Sequence, residues 1–238
     1  MRLDATTLCE FYATPLGQAS ASLIGRRLTA AWNTCASRDV LCVGFPQALP
    51  QPFAERARRV IVAAPGGQGA RRWPATGNSA TVLVEDSRLP FTDAVFDRVV
   101  LLHALEEADN HARLLRDVWR VMAPEGRIIV VVTNRRGAWA LVDSTPFGHG
   151  RSYTRRQLSK LLSEAMFQPT ATARAMFAPP WGWSPLVSAT MAFETIGERI
   201  APALGGVIMM EAVKRLEARP QTPAGRTAQV TAAAPKPT

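Results

Sequence analysis

Short apolar runs alternate with stretches of helical period along most of the chain. Val40–Val43, Arg59–Ala63, Thr81–Val84, Arg98–Leu102 and Ile128–Thr133 are near-continuous runs rich in β-branched and aliphatic residues. Polar alternation is missing from them, so each predicts a strand covered on both faces, as in parallel sheets flanked by helices. Between them, residues 18–33 set Ala19, Leu23, Ile24, Leu28 and Ala31 along one stripe. Residues 110–122 set Leu114, Leu115, Val118, Val121 and Met122 along another, with Arg113, Arg116, Asp117 and Arg120 opposite. Asp109 or Asn110 can cap that second helix, and Pro124-Glu125-Gly126 turns it into the next strand. Alternating β and α elements predict a doubly wound α/β sheet. After Thr133 the pattern changes. Ser152 is positioned to cap a helix over 154–165, and Thr170–Phe177 and Gly206–Val213 are two further strands around a helix over about 186–202. A final antiparallel pair beside the parallel sheet fits that order.

A length of 238 residues suits one α/β domain or two small ones, and 47% apolar content excludes a wholly disordered chain. We expect one domain over 1–217, with an N-terminal helix and a helical insert at about 184–203. Residues 218–238, rich in Pro, Thr and Ala, are expected to be a disordered tail. Cys9, Cys35 and Cys42 form no CxxC pair and have no His at ligand spacing, which points to reduced thiols in a cytoplasmic protein and to no metal site. The first residues lack a secretory apolar core, and no uncharged run is long enough for a membrane-spanning helix. The net charge is +9, and with three lysines among 28 cations it is carried by 25 arginines. Such a surface attracts nucleic acid, anionic lipid or acidic partners, or it reflects genome base composition. The cations are spread rather than clustered with aromatics, which disfavours nucleic acid.

Residues 80–134 carry a more specific pattern. Val84-Glu-Asp-Ser-Arg-Leu-Pro-Phe91 and Asp93-Ala-Val-Phe-Asp97 precede His103-Ala-Leu-Glu106 and Leu114-Leu-Arg-Asp-Val-Trp-Arg-Val-Met-Ala-Pro-Glu-Gly126. This order and spacing resembles the class I S-adenosylmethionine-dependent methyltransferases of the type-11 kind. The resemblance implies a Rossmann-like, seven-stranded sheet with S-adenosylmethionine over the carboxyl ends of strands one to three, where open α/β sheets bind ligands. Gly44 matches the first glycine of that family's Gly-x-Gly-x-Gly loop, Glu85 its third-strand acid with Asp86 adjacent, and Tyr12 its covering N-terminal segment. Two features depart. Pro46 and Ala48 stand in place of the other glycines, and Pro46 fixes φ and removes an N–H. The second strand ends Val62-Ala-Ala-Pro65 without the acid that holds the ribose, leaving Gln68 in Gly66-Gly-Gln-Gly69 as the nearest polar group. That glycine-rich loop otherwise reads as a connector.

His103 is the catalytic candidate, at the edge after the fourth strand; a hydrogen-bonded packing residue is its plain alternative. Asn134, Arg135 and Arg136 after the fifth strand, with His149, Arg151 and Tyr153, form a set able to grip an acidic small molecule through planar guanidinium forks, or else a solvated basic rim. Trp181, Trp183, Leu186, Val187, Met191, Phe193 and Ile196 make an apolar insert that packs on the sheet, lids a lipophilic substrate or lies on a membrane surface. Two functions follow: methyl transfer to a small or lipid-like substrate, or a cofactor-free relative acting as a binding or regulatory partner. Whether Phe45 and Pro46 leave room for an adenosyl group decides between them.

Overall fold

Each of the five apolar runs becomes a strand because its alternate residues meet a different helical layer. The computed structural model describes residues 3–85, 88–180 and 190–216. The strands are β1 (Asp39–Gly44), β2 (Arg59–Pro65), β3 (Thr81–Val84), β4 (Phe96–Leu102), β5 (Met122–Thr133), β6 (Phe167–Ala175) and β7 (Val207–Lys214). They form one seven-stranded sheet in the order β3-β2-β1-β4-β5-β7-β6. β1 to β5 pair in parallel, while β7 runs antiparallel to both β5 and β6. The seven-stranded, mostly parallel α/β sheet with a C-terminal antiparallel pair is therefore the fold. On one face, Leu41, Val43, Val99, Leu101, Ile128 and Val130 pack with Leu114, Leu115, Val118, Leu158 and Leu162. On the other, Val40, Cys42, Val62, Val100 and Ile129 meet Leu23, Ile24, Leu28, Trp32 and Phe53. Burial raises the Cys42 thiol to about 12 and the Cys35 thiol to about 11, so both behave as apolar packing groups.

The helices are α1 (Ala5–Ala13), α2 (Pro15–Trp32), α3 (Gln51–Arg56), α4 (His111–Val121), α5 (Arg155–Glu164) and α6 (Thr190–Ile200). Asp4 caps α1 by accepting from the Thr7 N–H, and Thr14 caps α2 with Pro15 in its first turn. Asn110 caps α4, one of the two expected residues. α5 departs from expectation: Thr154, not Ser152, is its cap, in a reciprocal box with Gln157. α3 is a short helix without a periodic signal. β6 starts three residues earlier than the apolar pattern, because an edge strand with Pro169 at a register shift needs little apolar content. No helix spans residues 66–80 between β2 and β3.

The stripe over 18–33 becomes α2, and the helix over 186–202 is described from Thr190 as α6. α6 docks through Glu194, whose carboxylate accepts the Phe177 N–H at 2.6 Å, and through an Arg27–Glu198 pair at 2.8 Å. Trp181, Trp183, Leu186 and Val187 of the apolar insert, and the tail expected over 218–238, lie outside the described residues. Among those described, no helix is long and apolar enough to cross a membrane.

Candidate functional site

β1 ends on Gly44, at φ +103°, where a Cβ would collide with the Leu102 carbonyl of β4. Only glycine serves that turn. The next residue, Phe45, donates its N–H to Leu102 O at 2.9 Å and turns its ring onto Tyr12 of α1, 5.7 Å away and nearly parallel. Tyr12 Oη and His103 Nε2 share a hydrogen bond of 2.8 Å, and the His103 ring lies 5.0 Å from that of Phe147. The loop after β2 completes the cluster. Gln68 Nε2 donates to His103 O at 3.0 Å, and the Gln68 carbonyl accepts the Ala5 N–H at 2.7 Å. Through Gln68, the one buried residue of the glycine-rich loop, β2 is tied to β4 and α1. Tyr12, Phe45, Gln68 and His103 are exposed by 3%, 4%, 2% and 5%, and Leu8 of α1 by 0%. These side chains fill the rim directly over β1.

His103 is the first residue after β4 and holds φ +51°, an uncommon conformation for a side chain of this size. Burial lowers its pKa to about 4, leaving a neutral ring at pH 7, and burial likewise raises that of Tyr12. Three residues on stands Glu106, 6% exposed, which the sequence offered only as part of a motif. Glu106 Oε1 accepts the Thr133 N–H at 3.3 Å, while Oε2 is buried without a hydrogen-bond partner among the described residues. Burial raises its pKa to about 8, so its carboxyl is largely protonated at neutral pH. An acid titrating near the working pH suits proton transfer. Glu106 lines a cleft of about 450 Å³ with Gly67, Glu107, Asp109, Gly150 and Arg151. Gly150, at φ +71°, brings its backbone against the Glu106 carbonyl, where a Cβ would stand 2.8 Å from that oxygen. Arg151 donates its N–H to that carbonyl at 2.8 Å.

The other expected residues do not converge. Glu85 is exposed at the end of β3 in a bridge with Arg88, and Asp86 lies outside the described residues. Asn134 uses its amide to bind Ala203 O and Gly205 O at 2.9 and 2.7 Å, which makes it a frame for the loop after β5. Arg135 takes Tyr153 O and Ser152 O, and Tyr153 itself is 8% exposed, its hydroxyl aimed at Leu105 O. His149 bonds Asp143 O at 2.7 Å, away from this group, and Arg151 turns its guanidinium to His111 at 3.0 Å. Asn134, Arg135 and Tyr153 are neighbours, and Arg136 donates its backbone N–H to Asn134 Oδ1 at 3.2 Å.

Residues 48–130 match the family model described as methyltransferase domain. About a third of the chain is thus similar to that family. No curated protein matches the chain. Solved structures share its fold. An S-adenosylmethionine-dependent methyltransferase from Mesorhizobium loti is 14% identical, with 79% of this chain and 96% of that one covered at a TM-score of 0.55. Another from Thermotoga maritima is 14% identical, covering 81% and 91% at 0.53. The (4+2)-cyclase SpnF is 19% identical, covering 80% and 81% at 0.53. The sheet order and the antiparallel 5-7-6 edge are those of class I methyltransferases.

This methyltransferase fold implies S-adenosylmethionine over the carboxyl ends of β1 to β3. The residues present there do not fit it. Gly44 keeps the first turn, but Pro46 and Ala48 are buried in a short 3-10 turn. β2 ends at Pro65, without a carboxylate for ribose hydroxyls, and the amide oxygen of Gln68 is a buried acceptor near its end that has no partner among the described residues. The space above is taken by Ala5, Leu8, Tyr12 and Phe45, which form their own apolar cluster.

Proposed function

We propose that this methyltransferase-fold protein works by binding rather than by methyl transfer, as a partner or regulator that does not use S-adenosylmethionine. One observation carries the reading: Tyr12, Phe45 and His103 close the nucleoside rim, joined by ring stacking and a buried hydrogen bond. Opening it would expose Leu8, Tyr12 and Phe45 at roughly 1.5–3 kcal/mol each. A cofactor of micromolar intrinsic affinity, about −8 kcal/mol, would then bind only in the millimolar range or weaker. Fold neighbours bear different functional names, cyclase among them, so architecture alone does not assign methyl transfer. Isothermal titration with S-adenosylmethionine and S-adenosylhomocysteine tests the reading. We expect no saturable heat up to millimolar ligand; a micromolar constant for either would refute it.

A second reading is methyl transfer to a small or lipid-like substrate with α1 displaced. It is favoured by the retained Gly44 turn and by two buried acceptors without partners beside α1, Gln68 Oε1 and Glu106 Oε2. The substitution Tyr12→Ala separates the two. If α1 is a lid over a working site, loosening it strengthens cofactor binding; if the site is lost, it only weakens the fold.

A further inference from the structure

We propose that the cavity between α5 and β6 binds the phosphate group of a small molecule, held by Arg174, Arg136, Arg155 and Arg156. The cavity measures about 660 Å³, and Asn134, Arg136, Arg155, Arg156, Lys160 and Arg174 stand in its wall. Among the described residues, no carboxylate lines it. A smaller hollow of about 290 Å³ continues past Arg155 and Arg174 along β6. That size suits a phosphorylated metabolite rather than a bare ion.

Arg174 is the deciding residue. It sits near the carboxyl end of β6, paired with Ile208 of β7, on the sheet edge that also carries the end of β5. Its Nε is buried with no hydrogen-bond partner among the described residues. Burial holds its pKa below the ordinary guanidinium value, and the Arg155 and Arg136 charges push it the same way. Several other arginines have carboxylate partners. Arg58 and Arg59 converge on Asp39, Arg120 on Asp117 and Asp93, and Arg127 on Glu211. Among the described residues, Lys160 alone in this wall has an ion-pair partner, Glu164 at 3.6 Å. Like charges gathered around a buried, unpartnered N–H are costly unless an anion joins them.

The chemistry of the wall specifies which anion. Guanidinium groups present planar forks that match phosphate oxygens, and α5 begins at this cavity, so the positive end of its dipole adds to the field. Thr154 and Arg155, the cap and first residue of that helix, both line it. Among the described residues the wall has no aromatic, and so no stacking platform of the kind a single-stranded nucleic acid uses. The proposal does not rest on whether S-adenosylmethionine binds.

The test is calorimetric titration of inorganic pyrophosphate into the full chain at low salt, beside sedimentation with phosphatidic acid vesicles. We expect a dissociation constant below about 1 mM. It should weaken at least tenfold in Arg174→Met and in the double substitution Arg155→Gln/Arg156→Gln, and stay unchanged in Arg113→Gln on α4. Should Arg174→Met fail to fold by circular dichroism, the exposed double variant carries the comparison. Pelleting with vesicles that pyrophosphate reverses assigns the phosphate to a lipid headgroup; pyrophosphate binding without pelleting assigns it to a soluble ligand. Three results overturn the proposal: no pyrophosphate binding at millimolar concentration, equal weakening by Arg113→Gln, or binding of single-stranded RNA that pyrophosphate does not displace.

Discussion

The two halves of the sheet's carboxyl edge have opposite characters. Directly over β1 the edge is filled, uncharged and aromatic, with Tyr12, Phe45 and His103 packed together. Beside β5 and β6 it is open and cationic, with a cavity of about 660 Å³ around Arg136, Arg155 and Arg174. The fold places ligands along this edge, yet fold does not say which half is used. Here the edge over β1 is packed like a core, and the half beyond β5 keeps volume and arginines that have no acidic partner among the described residues. Glu106, behind β4 and beside Thr133 of β5, marks the boundary.

The contrast can be broken most severely at Phe45. Phe45→Ala should cost about 3–5 kcal/mol in urea unfolding, as expected for a buried ring lost from a packed site. A loss under about 1 kcal/mol would mean the filled half is not a core. Glu106 gives the next effect. Its folded pKa, raised to about 8, lies above its unfolded value near 4.5, so the folded state holds a proton that the unfolded state releases. Stability from this group is complete below pH 4.5 and is lost as pH rises through 8. His103, lowered to about 4, acts only below 6.5 and in the opposite direction. Between pH 6.5 and 8 the wild type should therefore lose about 1–2 kcal/mol, and Glu106→Gln should flatten that slope in thermal melts. Tyr12→Phe keeps the stack on Phe45 but leaves His103 Nε2 without its partner, at about 1 kcal/mol or slightly more by the same measurement. On the open side, Thr154→Ala removes the α5 cap for about 1 kcal/mol or less and should leave the slope at Glu106 unchanged.

The architecture was legible because its signals are local. Val40–Val43 and Ile128–Thr133 lack polar alternation, which only strands covered on both faces show, and the stripe Leu114, Leu115, Val118, Val121 fixes how α4 faces the sheet. Short capped elements were less legible. Ser152 and Thr154 both qualify as caps, and only the reciprocal bond with Gln157 selects Thr154. The site was read in parts. Tyr12, Gly44 and His103 were picked out, and they meet, but as a packed cluster held by Gln68, whose burial no local pattern announces. Of the basic group expected from Asn134 to Tyr153, His149 and Arg151 turn away to Asp143 O and His111, while Asn134 and Tyr153 direct polar atoms at backbone carbonyls. Arg174, on an edge strand and distant in sequence from Arg136 and Arg155, joins them only through the sheet order. Long-range pairing of this kind leaves no periodic trace.

Co-crystals grown with millimolar S-adenosylhomocysteine test the central claim most directly. The account predicts Tyr12 still stacked on Phe45 and bonded to His103, with no nucleoside above Gly44. A nucleoside bound there, with α1 moved off Phe45, would contradict it and return the chain to methyl transfer.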